Sequence, residues 1–236
     1  EVPYQVVISD NGSTDRTIEV TKKLGGQVAT GSTKGCIGSA RFVGAELAEK
    51  LAKNSSKHEE IIIFTDADSW VEKNYFQTIF EAYQNPKVIA SMGPVVYEQG
   101  KYSFKVGKFI HPVCLTSAAA DLRAWWILKY VPKSATLFGC NTVIRRSLYH
   151  QIGGYDPAIK VVEDLDLALK ILSRGLTVSY LPKQIVHTSA RKYLTPSGRI
   201  DPSKIIKYYF NHYDGLIPGM HVLRQKYQAL STNTYE

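Results

Sequence analysis

The chain of 236 residues carries 29 lysines and arginines against 21 aspartates and glutamates, a formal net charge of +8. Its 44% hydrophobic and 21% charged residues exclude disorder, collagen and coiled coil as descriptions of the whole chain. The most apolar long stretch, 113–131, contains Asp121, Arg123 and Lys129, too many charges for a membrane-spanning helix. The excess of positive charge favours an anionic ligand such as a nucleotide, a phospholipid surface or nucleic acid.

Three cysteines, Cys36, Cys114 and Cys140, are odd in number and lack the spacing of metal ligands. This pattern predicts reduced thiols in a reducing compartment rather than a disulfide framework. Because no signal peptide opens the sequence, we expect a cytoplasmic protein, either free or at the cytoplasmic membrane surface.

The first hundred residues alternate predicted strands (6–8, 27–30, 61–64, 88–96) with predicted helices (17–24, 37–51, 74–83). This alternation predicts an α/β domain with a Rossmann-like, mostly parallel central sheet and helices on both faces. The less regular second half predicts helices over 112–130, 147–151, 163–172 and 203–230, and strands over 136–144, 178–181 and 184–187. Ligands of such sheets bind beyond the carboxyl ends of the strands.

Aspartates follow two of the predicted strands. Asp66-Ala67-Asp68 comes directly after an apolar strand, and residues i and i+2 of an extended segment point to the same side. Two carboxylates at an open strand end suit a hard divalent cation, which could neutralise a diphosphate leaving group. Asp10 ends the first strand and could accept a hydrogen bond from a base N–H. Solvated acidic turns explain both motifs equally well at this stage.

Three further signals could carry chemistry. The glycine-containing loop 34–38 leads into a helix bearing Arg41, and glycines at a helix N-terminus let a phosphate approach the backbone. Glu163 and Asp164 open a helix, either as ordinary capping acids or as a carboxylate base. His187 follows a third strand end, either as a structural residue or as a metal ligand.

Together and in this order, the motifs resemble the family 2 glycosyltransferases, which adopt the GT-A fold. The resemblance runs from Tyr4 to His187 and consists of 7–15 (similar to the Asp-Asp-Gly-Ser-x-Asp segment), 38–44 (the Ala-Arg-Asn-x-Gly helix), 66–68 (the DxD motif), 138–156 (the acceptor-side segment) and 163–167 (the Glu-Asp motif). His187 stands where the family's C-terminal metal-binding histidine is expected.

The resemblance implies transfer of a sugar from a nucleotide-diphosphate sugar, with UDP favoured, to an acceptor hydroxyl with inversion. It implies Asp164, or with less support Glu163, as the general base, and Asp66, Asp68 and His187 as ligands of Mn²⁺ or Mg²⁺. The implied nucleotide-sugar-binding residues are Asp10, Gly12, Lys34, Gly38, Arg41, Asp66, Ala67, Gly139 and Asn141.

Three features depart from the family pattern. The sequence begins at what would be the second strand, so either residues that precede this sequence supply the family's first strand or the enzyme lacks part of its nucleotide wall. Asn11 stands where a second aspartate is common. Phe42 replaces the usual asparagine after Arg41.

The resemblance divides the chain into a donor-binding half (1–100), an acceptor-binding and catalytic half of the same domain (101–190) and a basic, tyrosine-rich C-terminal helical extension (191–236). Basic residues such as Arg191 alternate with aromatic ones in the extension, which favours contact with a lipid-linked acceptor or a membrane surface, although a helix packed on the core fits equally. The expected role is polysaccharide, cell-wall or glycolipid synthesis, without a nucleic-acid partner.

Three other classes of protein stay open at this stage. A nucleotidyltransferase that makes nucleotide sugars also uses an α/β sheet and a metal, but usually opens with a glycine-rich phosphate loop. A non-catalytic nucleotide-sugar or glycan-binding module would fit the lack of a first strand but not the retained acids. A nucleic-acid-binding protein is suggested by net charge alone, since the sequence contains no recognition helix, zinc spacing or RNA-binding motif.

Overall fold

The computed structural model describes residues 3–52, 60–99, 102–106, 137–160, 163–191, 194–197, 201 and 203. The strands within these ranges are β1 (Val7–Ser9), β2 (Gln27–Ala29), β3 (Ile61–Phe64), β4 (Ser69–Val71), β5 (Ala90–Met92), β6 (Val95–Gln99), β7 (Tyr102–Val106), β8 (Thr142–Arg145), β9 (Ser179–Tyr180) and β10 (Val186–Ser189). The helices are α1 (Thr17–Lys23), α2 (Ile37–Ala52), α3 (Tyr75–Tyr83), α4 (Arg146–Gln151) and α5 (Glu163–Leu172), with a 3₁₀ turn at Gly139–Asn141.

The described strands pair into one short ribbon and two sheets. β1 and β2 are parallel, and the sheets have the orders β3-β8-β5-β9 and β4-β10-β6-β7. β8 is antiparallel to both β3 and β5, whereas β5 and β9 are parallel. β10 is antiparallel to β4 and parallel to β6, which is antiparallel to β7. The predicted α/β class is confirmed, and the sheets are partly parallel, with three parallel and four antiparallel pairings among the described strands.

Residues from both halves of the chain share one hydrophobic core. On α3, Tyr75, Ile79 and Tyr83 are buried at a spacing of four, which places them on one helix face. All four residues of β8 are buried, because the strand lies between two neighbours and under the helices. On α5, Leu167 and Ile171 complete the same cluster. The core therefore fixes the carboxyl end of β3, the 3₁₀ turn and the start of α5 relative to one another.

The single strand predicted over 88–96 is two strands in the structure. Gly93 and Pro94 separate β5 from β6, and a Cβ at Gly93 would lie 2.1 Å from the carbonyl oxygen of Gln184. This close backbone approach requires glycine and carries the chain from one sheet to the other. The helix predicted over 112–130 and nearly all of that over 203–230 lie outside the described residues. No helix within the described ranges is long and apolar enough to cross a membrane.

Candidate active site

The side chain of Arg41 joins three segments that are far apart in sequence. Its Nη2 donates to Asp66 Oδ1 at 2.7 Å, its Nη1 to the carbonyl oxygen of Gly139 at 2.7 Å and its Nε to Glu163 Oε1 at 3.1 Å. The side chain is only 11% exposed. Its Cζ lies 5.7 Å from the centroid of the Tyr155 ring. We call Arg41, Asp66, Gly139, Glu163 and Asp164 the Arg41 cluster.

A larger residue than Gly139 would not fit in this cluster. A Cβ at this position would lie 2.4 Å from Arg41 Nη2, closer than any real contact of that kind. The glycine therefore admits the guanidinium between the 3₁₀ turn and α5. The carbonyl of Gly139 accepts a hydrogen bond from Arg41, and its predicted role in binding the nucleotide sugar stays a prediction.

Asp164 is held by backbone donors. Its Oδ1 accepts from the N–H of Leu165 at 2.8 Å and its Oδ2 from the N–H of Gly139 at 3.3 Å. Burial raises the pKa of Asp164, while the charge of Arg41 and these two hydrogen bonds oppose the rise. The carboxylate is thus fixed in position, and its pKa lies above that of an ordinary aspartate. Both properties suit a general base.

Glu163 has a different environment. Its side chain is buried and paired with Arg41. Burial and the neighbouring charge of Asp164 raise the pKa of Glu163, and Arg41 opposes this rise. Since the two adjacent carboxyls titrate together, the pair takes up a proton at a higher pH than isolated carboxyls would. Of the two candidate bases, Glu163 is the partner of Arg41 and Asp164 is the one with the more exposed side chain.

The Asp66-Ala67-Asp68 turn lies at the surface, directly after β3. The side chain of Asp66 is 42% exposed and that of Asp68 is 26% exposed, with Ala67 exposed between them. Asp68 Oδ1 accepts from Thr188 Oγ1 at 3.4 Å, and Asp68 Oδ2 lies 2.9 Å from Arg191 Nη2. Both carboxylates of the turn therefore have basic partners, Arg41 on one and Arg191 on the other.

His187 is not brought to this turn. Successive residues of a strand face opposite sides of the sheet, and it is Thr188 on β10 that faces Asp68. The ring of His187 lies on the other side, with Nδ1 2.6 Å from Glu98 Oε1 and Nε2 3.3 Å from Glu72 Oε1. It also stacks on the indole of Trp70 at 3.7 Å. Among the described residues, no group of three histidine, cysteine or acidic side chains is placed to hold a metal.

The donor-side residues Asp10, Gly12 and Lys34 come together on an exposed surface. The two carboxylate oxygens of Asp10 each accept a backbone N–H, from Gly12 and from Ser13, at 3.2 Å. Hydrogen bonds with Ser13, followed by that from Gly12, lower the pKa of Asp10. Gly12 has a positive φ of 91° and faces the Lys34 side chain, since a Cβ there would lie 3.9 Å from Lys34 Cδ. The turn is thus open to a ligand, with an anion and a cation beside each other.

Asn11 links this turn to the loop that follows β2. Its Nδ2 donates to Ser32 Oγ at 2.7 Å and to the carbonyl oxygen of Thr33 at 3.0 Å. Its Oδ1 accepts from the N–H of Gly35 at 2.7 Å. An aspartate could accept the last bond but could not donate the first two. This double use of the amide explains why Asn11 stands where the family often has aspartate.

Two predicted ligand-binding residues, Gly38 and Asn141, are buried among protein groups. Gly38 is buried, and a Cβ there would lie 2.3 Å from the carbonyl oxygen of Ile159, so its role is packing of the α2 start. Asn141 has no exposed surface. Its Oδ1 accepts from Tyr75 Oη at 3.1 Å, and its Nδ2 donates to the carbonyl oxygens of Gln184 at 2.8 Å and Pro94 at 3.2 Å. The buried amide, with both of its groups satisfied, holds the 3₁₀ turn, and ligand binding by Gly38 and Asn141 stays an untested prediction.

The sequence reasoning missed Thr188 as a partner of Asp68, and it named Arg191 only as part of the basic extension. The local sequence indicates that residues 186 and 188 share one face of a strand, but it carries no signal for which face lies toward Asp68.

The sequence model of glycosyl transferase family group 2 matches residues 61–197, more than half of the chain. No curated protein sequence matches the chain. Solved structures are similar at low identity, and the chain spans only about a third to a half of the proteins described next.

GalNAc-T7 with UDP, GalNAc and Mn²⁺ is 17% identical, covering 78% of this chain and 37% of that one with a TM-score of 0.53. The mannosyltransferase PcManGT from Pyrobaculum calidifontis with GDP-Man and Mn²⁺ is 16% identical, covering 78% and 47% with a TM-score of 0.50. S. aureus TarS 1–349 with UDP is 14% identical, covering 79% and 51% with a TM-score of 0.50. These likenesses confirm the predicted GT-A fold, and the family match shows that the chain belongs to glycosyl transferase family group 2.

Proposed function

We propose that this chain is a glycosyltransferase domain that transfers a sugar from a nucleotide-diphosphate sugar to an acceptor hydroxyl. The observation that carries the proposal is the Arg41 cluster, in which one guanidinium binds Asp66 of the DxD turn and Glu163 beside Asp164. A donor-binding carboxylate and a candidate base are thereby held at one place, as sugar transfer requires.

The donor's nucleotide would bind at the exposed turn of Asp10, Gly12 and Lys34. Asp10 would accept an N–H of the base, and Lys34 would meet the negative charge of the diphosphate. We favour UDP because uracil offers one N–H to a single carboxylate. Two of the similar structures contain UDP and one contains GDP-Man, so GDP is the second candidate.

Asp66 and Asp68 would hold Mn²⁺ or Mg²⁺. Their oxygen atoms are the donors that hard cations prefer, and one or two carboxylates suffice where substrate phosphates supply further ligands. When bound, the ion would stabilise negative charge on the leaving nucleoside diphosphate. His187 is left out of this ligand set because it lies on the other side of β10.

Asp164 would act as the base in a single displacement. As the acceptor oxygen forms its bond to the anomeric carbon, the acceptor proton moves to Asp164, and the bond from that carbon to the phosphate oxygen breaks. The electron pair of that bond leaves with the nucleoside diphosphate. Attack opposite the leaving group inverts the configuration. Arg41 would fix the positions of Glu163, which precedes this base, and of Asp66 in the DxD turn through its hydrogen bonds to both.

The acceptor would be a glycan or a lipid-linked glycan in polysaccharide, cell-wall or glycolipid synthesis. This proposal rests on the basic and aromatic residues of 191–236 and on the reducing environment indicated by the cysteines. Sedimentation with anionic liposomes at low salt tests the membrane contact. Absence of the protein from the pellet would contradict it.

Titration calorimetry with UDP and GDP, with and without Mn²⁺, tests the donor site. We expect micromolar binding that Mn²⁺ strengthens, and loss of the metal-dependent gain in Asp68→Ala. Glu81→Ala, which removes an exposed carboxylate from α3, is the matched control and should bind like the unmodified chain. Failure of both nucleotides to bind under all conditions would overturn the proposed function. Pyrophosphate release from a nucleoside triphosphate and a sugar phosphate would instead identify a nucleotidyltransferase.

A further inference from the structure

Arg191 forms an ion pair that the proposed chemistry does not use. It follows β10 closely, and its Nη2 lies 2.9 Å from Asp68 Oδ2. The backbone at this point is anchored, because the N–H of Ala190 donates to the carbonyl oxygen of Glu98 at 2.7 Å and that of Arg191 to Ser189 Oγ at 3.3 Å. The Arg191 side chain is 66% exposed. An anchored backbone thus presents an exposed cation at the DxD turn.

Stability does not explain this pair. Ion pairs with an exposed arginine contribute little to folding, because water screens the charges and the long side chain loses freedom. The contrast with Arg41 is direct, since that side chain is buried and makes three hydrogen bonds within the protein. An exposed guanidinium is, however, well suited to phosphate, which it can bind through two parallel N–H donors.

We propose that Arg191 is a ligand of the donor's diphosphate, and that it exchanges Asp68 for the diphosphate when the donor binds. This inference rests on the proposed function, since it assumes a donor bound at the DxD turn. A diphosphate placed there would meet the negative charge of Asp68, so a cation already beside that carboxylate lowers the repulsion. Arg191 can leave Asp68 at small cost because the pair is exposed.

The pairing predicts opposite effects for two ligands in Arg191→Ala. Mn²⁺ alone should bind more tightly, by about three- to five-fold, because Asp68 loses a competing cation. UDP in the absence of divalent metal should bind more weakly, by about ten-fold or more, because a charge-assisted hydrogen bond to the diphosphate is lost. A role in stability alone would move neither binding constant.

Asp68→Ala gives the converse test. It removes the resting partner of Arg191 and a carboxylate that repels the diphosphate. Metal-free UDP should therefore bind at least as tightly as to the unmodified chain. The double variant with Arg191→Ala should lose that binding.

The experiment is calorimetry of Mn²⁺ alone, and of UDP and inorganic pyrophosphate in a chelator, on the unmodified chain and on these three variants. Arg174→Ala, at the opposite end of α5 from Glu163, is the matched control, because it removes the same charge from an exposed position. We expect it to match the unmodified chain in every titration.

Two outcomes would separate the inference from the proposed function. Equal binding of metal-free UDP and pyrophosphate by the unmodified chain and Arg191→Ala would overturn the inference, whatever Mn²⁺ does with UDP. Absence of UDP and GDP binding by the unmodified chain would overturn the proposed function. Pyrophosphate binding that Arg191→Ala loses and Arg174→Ala keeps would still support Arg191 as a diphosphate ligand.

Discussion

The donor-side turn and the Arg41 cluster hold their carboxylates in opposite ways. Asp10 is exposed and bonded to backbone N–H groups of its own turn, so its pKa is lowered. Glu163 is buried and bonded to a side chain from a distant helix, and its pKa is raised because burial outweighs that pairing. The turn of Asp10 can adapt when a ligand binds. The bond between Arg41 and Glu163 fixes Glu163 beside the proposed base Asp164. The proposed recognition residue Asp10 thus lies in an open turn, whereas the residues proposed for the reaction are held in fixed positions.

The largest effect is expected for Asp164→Asn. An amide of the same shape keeps most of the packing but cannot accept the acceptor proton. Turnover of the donor should fall by about 10²- to 10⁴-fold, while UDP affinity changes little. Steady-state kinetics and calorimetry on one preparation measure both quantities.

Glu81→Gln, at an exposed position of α3, is the control and should leave turnover unchanged. Unchanged turnover in Asp164→Asn would remove this residue as the base and return the assignment to Glu163.

The next largest effect compares a buried arginine–carboxylate pair, Arg41 with Glu163 at 3.1 Å, with an exposed one, Arg16 with Glu19 at 2.7 Å. Arg41→Ala leaves Glu163 buried without its partner, and should lower the free energy of unfolding by about 3–5 kcal/mol. Arg16→Ala breaks an exposed pair with Glu19 and should cost less than about 1 kcal/mol. Urea denaturation measures both values.

Similar losses of unfolding free energy in Arg41→Ala and Arg16→Ala would show that burial does not make the Arg41 pair more important for stability than the exposed Arg16 pair. Adding Glu163→Gln to Arg41→Ala should restore part of the stability, because it removes the buried charge that was left unpaired.

The pH dependence of stability should be of intermediate size. The pKa of Glu163 is raised to about 7, against about 4.3 for an unfolded glutamate. The folded state therefore binds more protons between these values. The contribution of Glu163 to the free energy of unfolding is complete below its pKa in the unfolded state. It is lost as the pH rises through its pKa in the folded state. Stability should fall by about 1–3 kcal/mol across this interval.

Donor turnover should move the other way, rising over the same pH interval as the carboxyl pair releases its proton and Asp164 becomes available as a base. Thermal denaturation and initial rates in one buffer series measure the two trends. Glu163→Gln should remove most of the slope in stability. A slope that persists in this variant would assign the proton to another group.

The smallest effect is expected for Asn11→Asp. The variant loses two donated hydrogen bonds to the second loop, and should lose about 1 kcal/mol of stability and several-fold in UDP affinity. Asn85→Asp is the matched control, because within the described ranges the Asn85 side chain accepts the N–H of Lys87 and donates to no group, so an aspartate can replace it. Equal effects of the two substitutions would contradict a linking role for Asn11.

The sequence was sufficient for those parts of the site that depend on local order. The apolar run before Asp66 and the periodicity of 163–172 predicted β3 and α5, and the DxD turn and the carboxylate pair lie at their ends as expected. The partners of Arg41 could not be predicted, because Glu163 is 122 residues away and neither helix signals the other.

The buried positions of Gly38 and Asn141 could not be predicted for a similar reason. Each residue stands in a motif that resembles a binding segment, but its neighbours in space come from distant parts of the chain. Ile159 excludes a side chain at Gly38, and Gln184 satisfies the amide of Asn141. A sequence motif identifies such residues as constrained without indicating whether a ligand or the core constrains them.

The placement of β10 between β4 and β6 also limits which insertions and deletions the chain can accept. Shifting this strand by one residue would turn His187 toward Asp68 and Thr188 toward the glutamates, because the two faces exchange. Inserting or deleting one residue in the turn before Val186 would therefore replace Thr188 by His187 beside the DxD turn, without substituting any residue of the turn or of β10. Inserting or deleting two residues would return every side chain of β10 to its original face. Variants of this turn that differ by two residues should therefore be tolerated better than variants that differ by one.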